Sequence, residues 1–146
     1  MLTTLEEKLH SQIPMTKLMQ LHIKSMNNAK LITTAPLDVN INDKGTAFGG
    51  SLSTITIISS WSICWLLSQE LGFDCKNIVV IKNENSYLKP VTKDIVCQTI
   101  KPTQDEIQIV KTKLETKGSA SVKISSKIIE NDQTCVEFDG IYLIKL

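Results

Sequence analysis

The sequence contains no arginine, and all 16 of its basic residues are lysines. The planar guanidinium of arginine is the usual two-pronged partner of phosphates and carboxylates, so any phosphate contact has to come from lysine or from backbone amides. The lysines are nearly balanced by 15 acidic residues, which leaves a formal net charge of +1. Such a charge creates no broad positive field, and the sequence therefore argues against nucleic acid as a partner.

Cysteine and histidine are few and widely spaced along the chain. They are Cys64, Cys75, Cys97, Cys135, His10 and His22. The cysteines lack the short spacing of paired zinc ligands, and both histidines lie far from them in the sequence. We therefore expect no metal and no other cofactor. The N-terminus lacks the basic tip and apolar block of a secretory signal, so we expect a cytoplasmic protein with free thiols.

Length and composition fit one folded domain. A chain of 146 residues is below the size at which one hydrophobic core usually divides into two. Its 42% hydrophobic and 21% charged residues can supply an ordinary core, whereas a disordered chain is poorer in aliphatic side chains and higher in net charge. We expect residues 1–146 to form a single domain.

Charged residues are absent between positions 45 and 69. Within this stretch, Ser51–Ser68 contains ten apolar residues and eight serines or threonines. The length would suit a membrane-spanning helix, but the many hydroxyls and the lack of flanking lysine clusters argue against a membrane span. Small hydroxyls such as Ser53, Thr56 and Ser60 instead suit a buried helix that a sheet approaches closely. We expect a core helix over roughly residues 50–70.

Before this helix the sequence predicts a short helix, a hairpin and a loop. The segment Leu2–His10 has leucines at helical spacing, with Thr3 or Thr4 as the expected N-cap. From Met15 to Pro36 the pattern alternates around a turn at Asn27–Asn28, which predicts two paired strands. A polar loop, Asp38–Gly49, leads into the core helix.

After Gly72 the hydrophobic pattern changes to a period of two, which predicts strands. Turn residues such as Pro90 and Gly118 separate the segments, and with no helix expected between them the sheet should be antiparallel. The predicted fold class is therefore α+β, with an antiparallel sheet curled around the long helix. The five predicted strands are Asn77–Leu88, Val91–Ile100, Glu106–Leu114, Ser119–Ile129 and Cys135–Ile144.

The sharpest local signal is the adjacent pair Gly49–Gly50 at the entry to the long helix. The first N–H groups of a helix are unpaired and carry a partial positive charge, so they stabilise an oxygen that bears negative charge. Because glycine has no Cβ, a ligand could come close to these amides. The amides near Gly49, Gly50 and Ser51 are therefore a candidate oxyanion hole. The alternative is a tight turn in which both glycines serve only packing.

The order of these elements and this loop resemble the hotdog fold, and more closely the thioesterase-like family found as the C-terminal part of YiiD-type proteins. The resemblance covers nearly the whole chain. The loop before the helix and the turn that begins at Tyr87 are its more specific motifs. The resemblance is carried by Ala35-Pro36-Leu37, Asn40-Ile41-Asn42, residues Gly45 to Leu52, Trp61, Tyr87 to Thr92 and Phe138 to Tyr142.

The resemblance implies a homodimer, or a dimer of dimers, whose sheets join edge to edge. Two sites at the interface would accept acyl thioesters of coenzyme A or acyl carrier protein. In related enzymes a glycine amide at the helix start polarises the thioester carbonyl, and an upstream asparagine positions the carbonyl or water. These roles carry over to Gly49 or Gly50 and to Asn42. The residues expected to bind substrate are Phe48, Ser51, Asn83, Asn85 and Lys89.

One departure from the family pattern concerns the catalytic base. Related hotdog thioesterases often carry an Asp or Glu about two turns into the central helix, where this sequence has Ile57–Ile58. Water attack on a thioester still requires a proton acceptor. Glu84, on the strand expected at the dimer contact, is the candidate base across the interface, with Asn83 or Asn85 holding the water. The alternative is a Glu84 that is solvated or paired with Lys82.

The sequence thus predicts an acyl-thioester hydrolase. A non-catalytic acyl-CoA or acyl-ligand binding module is the alternative, because such a protein would keep the pocket without the base. A hotdog dehydratase is a weaker third hypothesis, since such enzymes typically pair a histidine with a carboxylate and neither histidine is near the loop.

Overall fold

The computed structural model describes all 146 residues, as a six-stranded sheet and four helices. The helices are α1 (Leu2–Gln12), α2 (Pro14–Leu18), α3 (Gly49–Leu71) and α4 (Gln104–Lys117). The strands are β1 (His22–Met26), β2 (Lys30–Ala35), β3 (Asn77–Tyr87), β4 (Ile95–Ile100), β5 (Ser119–Glu130) and β6 (Gln133–Lys145).

All neighbouring strands are antiparallel, in the order β1-β2-β4-β5-β6-β3. The sheet curls around α3, which packs against β2, β3, β4, β5 and β6. This arrangement confirms the α+β class and the predicted wrapping of one sheet around one long helix. Strands β1 and β3 lie at the two edges, so each has one side without a strand partner.

Hydroxyl groups of α3 bond to hydroxyl groups of the sheet. Ser59 Oγ lies 2.6 Å from Thr33 Oγ1 on β2, and Ser60 Oγ lies 2.9 Å from Ser126 Oγ on β5. All four side chains are buried. The small residues let the sheet approach the helix closely, and the paired hydroxyls avoid the cost of burying unsatisfied polar atoms. This explains the high serine and threonine content of the helix.

By length and apolar composition, α3 could also cross a membrane. Its packing against the sheet and its bonds to buried sheet hydroxyls are those of a core helix. The helix ends at Gly72, whose φ of 77° gives the left-handed cap conformation that glycine adopts without strain. The core-helix prediction over roughly residues 50–70 therefore agrees with the structure.

The segment Glu106–Leu114, predicted as a strand, belongs instead to α4. The Thr103 hydroxyl accepts the N–H of Glu106 at 3.2 Å, and the Glu106 carboxylate accepts the N–H of Thr103 at 3.2 Å. This capping box, with Gly118 in the left-handed position after the last turn, outweighs the apparent alternation of apolar residues. The buried residues of α4 are Ile107, Val110 and Leu114, at helical spacing.

Two predictions near the N-terminus are also corrected. The Thr3–Thr4 pair lies inside α1, whose N-cap is Met1 without a side-chain bond. The predicted Met15–Pro36 hairpin is shorter, because α2 begins at Pro14, where the fixed φ of proline suits a first helical position. The turn itself is confirmed, because Asn27 Oδ1 accepts the N–H groups of Ala29 and Lys30, each at 2.8 Å.

Candidate active site

The start of α3 leaves two backbone N–H groups free. The N–H groups of Ser51 and Leu52 both donate to the carbonyl oxygen of Phe48, at 3.0 Å and 3.1 Å. Those of Gly49 and Gly50 have no acceptor within the protein. The candidate oxyanion hole is therefore narrowed from three amides to the two glycine amides, at the positive end of a 23-residue helix.

The two glycines differ in what their missing side chain permits. A Cβ at Gly50 would overlap the ring of Phe48. A Cβ at Gly49 would meet only Tyr87 Cε1, at 4.0 Å. Packing therefore explains glycine at position 50, as in the alternative interpretation of the sequence. At position 49 the space is open, so a ligand can approach this amide.

Two open grooves flank the helix start. The Gly49 groove, of about 380 Å³, has Tyr87 and Lys89 in its wall. The Gly50 groove, of about 360 Å³, has Phe48 and Ser51 in its wall. Three of the residues expected to bind substrate thus lie at the helix start, but they are divided between two grooves.

Asn42 is bound within its own loop. Its Oδ1 accepts the N–H groups of Lys44 at 2.8 Å and Thr46 at 3.1 Å, and its Nδ2 donates to Thr46 Oγ1 at 2.8 Å. These bonds close the turn that contains Gly45, whose φ of 81° suits glycine. The amide of Asn42 therefore shapes the loop before the helix. Its role toward a carbonyl or a water stays a prediction.

Asn40, to which the sequence analysis gave no role, anchors this loop to the body of the protein. Its Nδ2 donates to the carbonyl oxygens of Met19 at 3.0 Å and Pro36 at 2.8 Å. The backbone carbonyl oxygen of Asn40 accepts the N–H of Phe48 at 2.7 Å. An asparagine that is only 3% exposed between two apolar residues has to be satisfied internally. The sequence signal for this role was an asparagine placed between Val39 and Ile41.

A turn between β3 and β4 supports the other side of the loop. The carbonyl oxygen of Val91 accepts the N–H of Ala47 at 2.8 Å, beside the helix start. The Glu130 carboxylate accepts the N–H groups of Thr92 and Lys93, each at 2.9 Å, and the Thr92 hydroxyl at 2.8 Å. Burial opposes the charged form of Glu130, but these bonds and the Lys93 charge outweigh it and lower the pKa. Glu130 thereby fixes the turn that holds Ala47.

Strand β3 presents different residues to its two faces. Asn85 faces the helix, because its Oδ1 accepts a hydrogen bond from Thr56 Oγ1 of α3 at 3.2 Å. Side chains alternate along a strand, so Tyr87 shares this inner face, whereas Glu84 points to the outer face. Asn83 lines the same outer groove as Glu84. The position of the Tyr87 ring beside the helix start agrees with this assignment.

Glu84 lies on the outer face among other charged residues. It is opposite Asp139 on β6, and Lys123 Nζ lies 3.9 Å from Asp139 Oδ1. A groove of about 220 Å³ at this place also has Lys82 in its wall. Within one protomer, the sheet separates Glu84 from the helix start. Its role as a base therefore stays a prediction that depends on a partner subunit.

Neither groove at the helix start has an Asp, Glu or His side chain in its wall. Burial raises the pKa of the Cys64 and Cys97 thiols, which stay protonated at neutral pH. The Tyr142 hydroxyl donates to the carbonyl oxygen of Ile57 at 2.7 Å, and burial raises its pKa. No group of three His, Cys, Asp or Glu side chains could hold a metal ion. The helix start of one protomer thus offers donors without a proton acceptor.

Residues 2–146 match the family described as "Putative thioesterase (yiiD_Cterm)". The chain belongs to this family. A protein of unknown function from Chlorobaculum tepidum is 33% identical, with 98% of this chain and 93% of that chain covered and a TM-score of 0.92. A protein from Shewanella oneidensis whose structure is described as that of a "putative thioesterase" is 31% identical, with 99% of this chain and 97% of that chain covered and a TM-score of 0.87.

More distant structures extend the likeness of this YiiD C-terminal family member in fold alone. A probable thioesterase of unknown function from Pseudomonas aeruginosa is 16% identical, with a TM-score of 0.73 over 98% of this chain and 95% of that chain. The six-stranded antiparallel sheet around α3 is the hotdog fold that the sequence motifs indicate.

Proposed function

We propose that this family member is a single hotdog domain that hydrolyses acyl thioesters of coenzyme A or acyl carrier protein. Family membership supports a thioester as the substrate class. The free N–H of Gly49, which opens to a groove of about 380 Å³, is the observation that carries the proposal. A carbonyl oxygen at this amide would be polarised, and the negative charge that develops during water attack would be stabilised.

The rest of the loop supports this geometry. Gly50 supplies the second free amide, and Asn42 holds the loop in the shape that exposes both. Phe48 and Ser51 would contact substrate in the Gly50 groove. Lys89, whose Nζ donates to a side-chain oxygen of Gln133 on an exposed surface, would meet a substrate phosphate as a mobile point charge.

We infer that two copies of the chain join through β3. This strand of 11 residues has hydrogen-bonding partners on one side only, and an exposed strand edge of that length is normally covered. Val79 and Ile81 on it are 45% and 56% exposed. Ile57, Ile58 and Trp61 of the nearby α3 are only partly buried. A homodimer, alone or as half of a dimer of dimers, would cover both regions.

Hydrolysis also needs a base, and Glu84 is the candidate that a second subunit could provide. Because Glu84 points away from α3 of its own protomer, it can act only if the helix start of the partner subunit reaches the outer side of β3. Asn83, which lines the same groove as Glu84, would then hold the attacking water, and Asn85 on the inner face would contact the substrate. A cytoplasmic location, without nucleic acid, metal or other cofactor, completes the proposal.

A non-catalytic acyl-ligand binding module is the second candidate function. The observation that favours it is the composition of the helix-start grooves, which contain donors and no Asp, Glu or His. Such a site binds a carbonyl oxygen without activating a water molecule.

A panel of acyl-CoA and acyl carrier protein thioesters, with short to long acyl chains, separates the two candidates. We expect release of free thiol by the wild-type protein and none by Gly49→Val. Binding measured by calorimetry without thiol release would establish the binding module instead. Absence of both binding and release across the whole panel would contradict both functions.

A further inference from the structure

Thr56 connects the central helix to the inner face of β3. It is fully buried, and its Oγ1 lies 3.2 Å from Asn85 Oδ1. Thr56 is about two helical turns beyond Gly49. A hydroxyl that contacts an amide therefore lies next to Ile57–Ile58, where an acid would be expected in a hotdog thioesterase.

Asn85 keeps an unused donor. Its Oδ1 faces the Thr56 hydroxyl, for whose one hydrogen the backbone oxygens of Ser53 at 2.9 Å and Leu52 at 3.2 Å also compete. Its Nδ2 has no acceptor in the protein. No buried polar side-chain atom in the structure lacks a partner, so this unpartnered Nδ2 is open to solvent. A fixed amide with a free, accessible N–H is suited to bind an acceptor oxygen of a ligand.

The position of Asn85 links this donor to the helix start. Tyr87, the next residue on the same face of β3, has its ring beside Gly49. Asn85 and Tyr87 therefore follow α3 from Thr56 back to Gly49. The free N–H of Gly49 and the free Nδ2 of Asn85 lie along one strip between helix and strand, with Lys89 as the charged residue in the wall of the Gly49 groove.

We propose that Thr56 is a positioning residue that fixes which end of the Asn85 amide faces the substrate. It holds Oδ1 toward the helix and leaves Nδ2 as a second donor to the acyl carbonyl oxygen, beside Gly49. This inference rests on the proposed binding of acyl thioesters. It goes further by giving the site selectivity for an acyl group with a carbonyl over an alkyl group of the same length.

Hydrolysis-resistant probes test this selectivity whether or not the protein is an enzyme. S-(2-oxoalkyl)-CoA thioethers carry a carbonyl, and S-alkyl-CoA thioethers do not. Butyl, octyl and hexadecyl pairs would be titrated by calorimetry into the full-length wild-type protein and its variants. The ratio of the two dissociation constants in each pair measures the contribution of the carbonyl alone.

Thr56→Val keeps the shape of the side chain and removes the hydroxyl, whereas Thr56→Ser keeps the hydroxyl. We expect Thr56→Val to reduce the preference for the carbonyl probe about threefold to tenfold, the range for one hydrogen bond, and Thr56→Ser to retain it. Asn85→Ala should lose the same preference. Adding Thr56→Val to Asn85→Ala should then change nothing further, because Thr56 acts through Asn85.

Three results would overturn the inference while leaving the proposed function intact. The first is a wild-type preference in folded Thr56→Val, and the second is additive losses in the double variant. The third is a preference retained in Asn85→Asp. The Asp side chain has no N–H, so this result would show that an oxygen of residue 85 faces the ligand. The Thr56 hydroxyl would then donate to the backbone oxygen of Ser53, at 2.9 Å. If Thr56→Val does not fold, the carbonyl preferences of Asn85→Ala and Asn85→Asp test the inference. If no probe binds the wild-type protein, the proposed function itself fails.

Discussion

The two faces of strand β3 carry opposite kinds of chemistry. On the inner face, Asn85 and Tyr87 lie beside α3 and near free amide donors, with no charged side chain among them. On the outer face, Lys82 and Glu84 lie in a charged surface groove with Asp139. Because side chains alternate along a strand, one step in sequence separates these settings. Residues that are adjacent in a motif need not belong to one site.

The largest expected effect comes from the inner side, in Gly49→Val. A branched side chain at this position would fill the space through which a carbonyl reaches the free amide. Removal of a single oxyanion donor typically costs about 10²–10³ in rate, and blocked access should cost at least as much. Thiol release and calorimetry with acyl-CoA are the measurements. Wild-type turnover in a folded Gly49→Val protein would exclude the helix start as the site.

The matched control is Gly50→Ala. Its Cβ would overlap the ring of Phe48, so this variant should lose stability by displacing that ring, while the space beside Gly49 stays open. We expect its thiol release to fall less than that of Gly49→Val. Equal losses in the two variants would mean that the grooves do not act separately.

The central helix and most strands could be predicted from the sequence because burial leaves a clear period. The uncharged, hydroxyl-rich stretch could hardly be anything but a core helix or a membrane span, and its hydroxyls decided between them. In α4 the sequence Glu106-Ile107-Gln108-Ile109 also alternates, although Ile109 is 56% exposed. The capping pair of Thr103 and Glu106 was visible in the sequence and would have corrected the prediction.

The candidate site was less accessible to sequence reasoning. The Gly49–Gly50 pair can be recognised locally, since a helix start is a local feature. The register of β3 cannot, because it depends on a bulge at Ile81 and on pairing with β6. The link from Glu130 to Ala47 likewise joins residues that are far apart in the sequence and meet only through tertiary structure.

Glu84→Gln tests whether the outer face takes part in catalysis. If Glu84 is the base of a neighbouring subunit's site, the substitution keeps size and hydrogen bonding but removes the proton acceptor, and we expect a loss in rate of about 10²-fold. The rate of thiol release and the oligomeric state by sedimentation would be measured together. An unchanged rate in an intact dimer would restrict the chemistry to the inner face.

Glu130 offers a smaller effect, on stability. Its folded-state pKa lies below the ordinary value of 4.5, so its stabilising contribution is present above that pH and is lost as the pH falls through the folded-state pKa. Glu130→Ala should therefore lower the free energy of unfolding by about 1 kcal/mol at neutral pH, and the difference from wild type should shrink in acid. Urea unfolding at several pH values measures this.

Glu130→Gln is the matched control for charge. Its amide oxygen can still accept the N–H groups of Thr92 and Lys93, so it should be less destabilising than Glu130→Ala at neutral pH. Its residual difference from wild type should also decrease in acid, where the wild-type carboxylate becomes neutral. A destabilisation by Glu130→Ala that stays constant across this pH range would contradict the role of the charge.

The smallest effect is expected at Asp139, on the outer face opposite Glu84. Its carboxylate lies 3.9 Å from Lys123 Nζ and accepts a hydrogen bond from Ser125 Oγ, and all three side chains lie at the surface. Exposed ion pairs of this kind typically contribute about 0–1 kcal/mol, because water and salt screen them. Asp139→Asn should therefore shift the free energy of unfolding by less than about 0.5 kcal/mol in urea titrations and leave acyl-CoA binding unchanged. If it weakens binding as Asn85→Ala does, both faces of β3 belong to one site, and the division between them holds only in the isolated protomer.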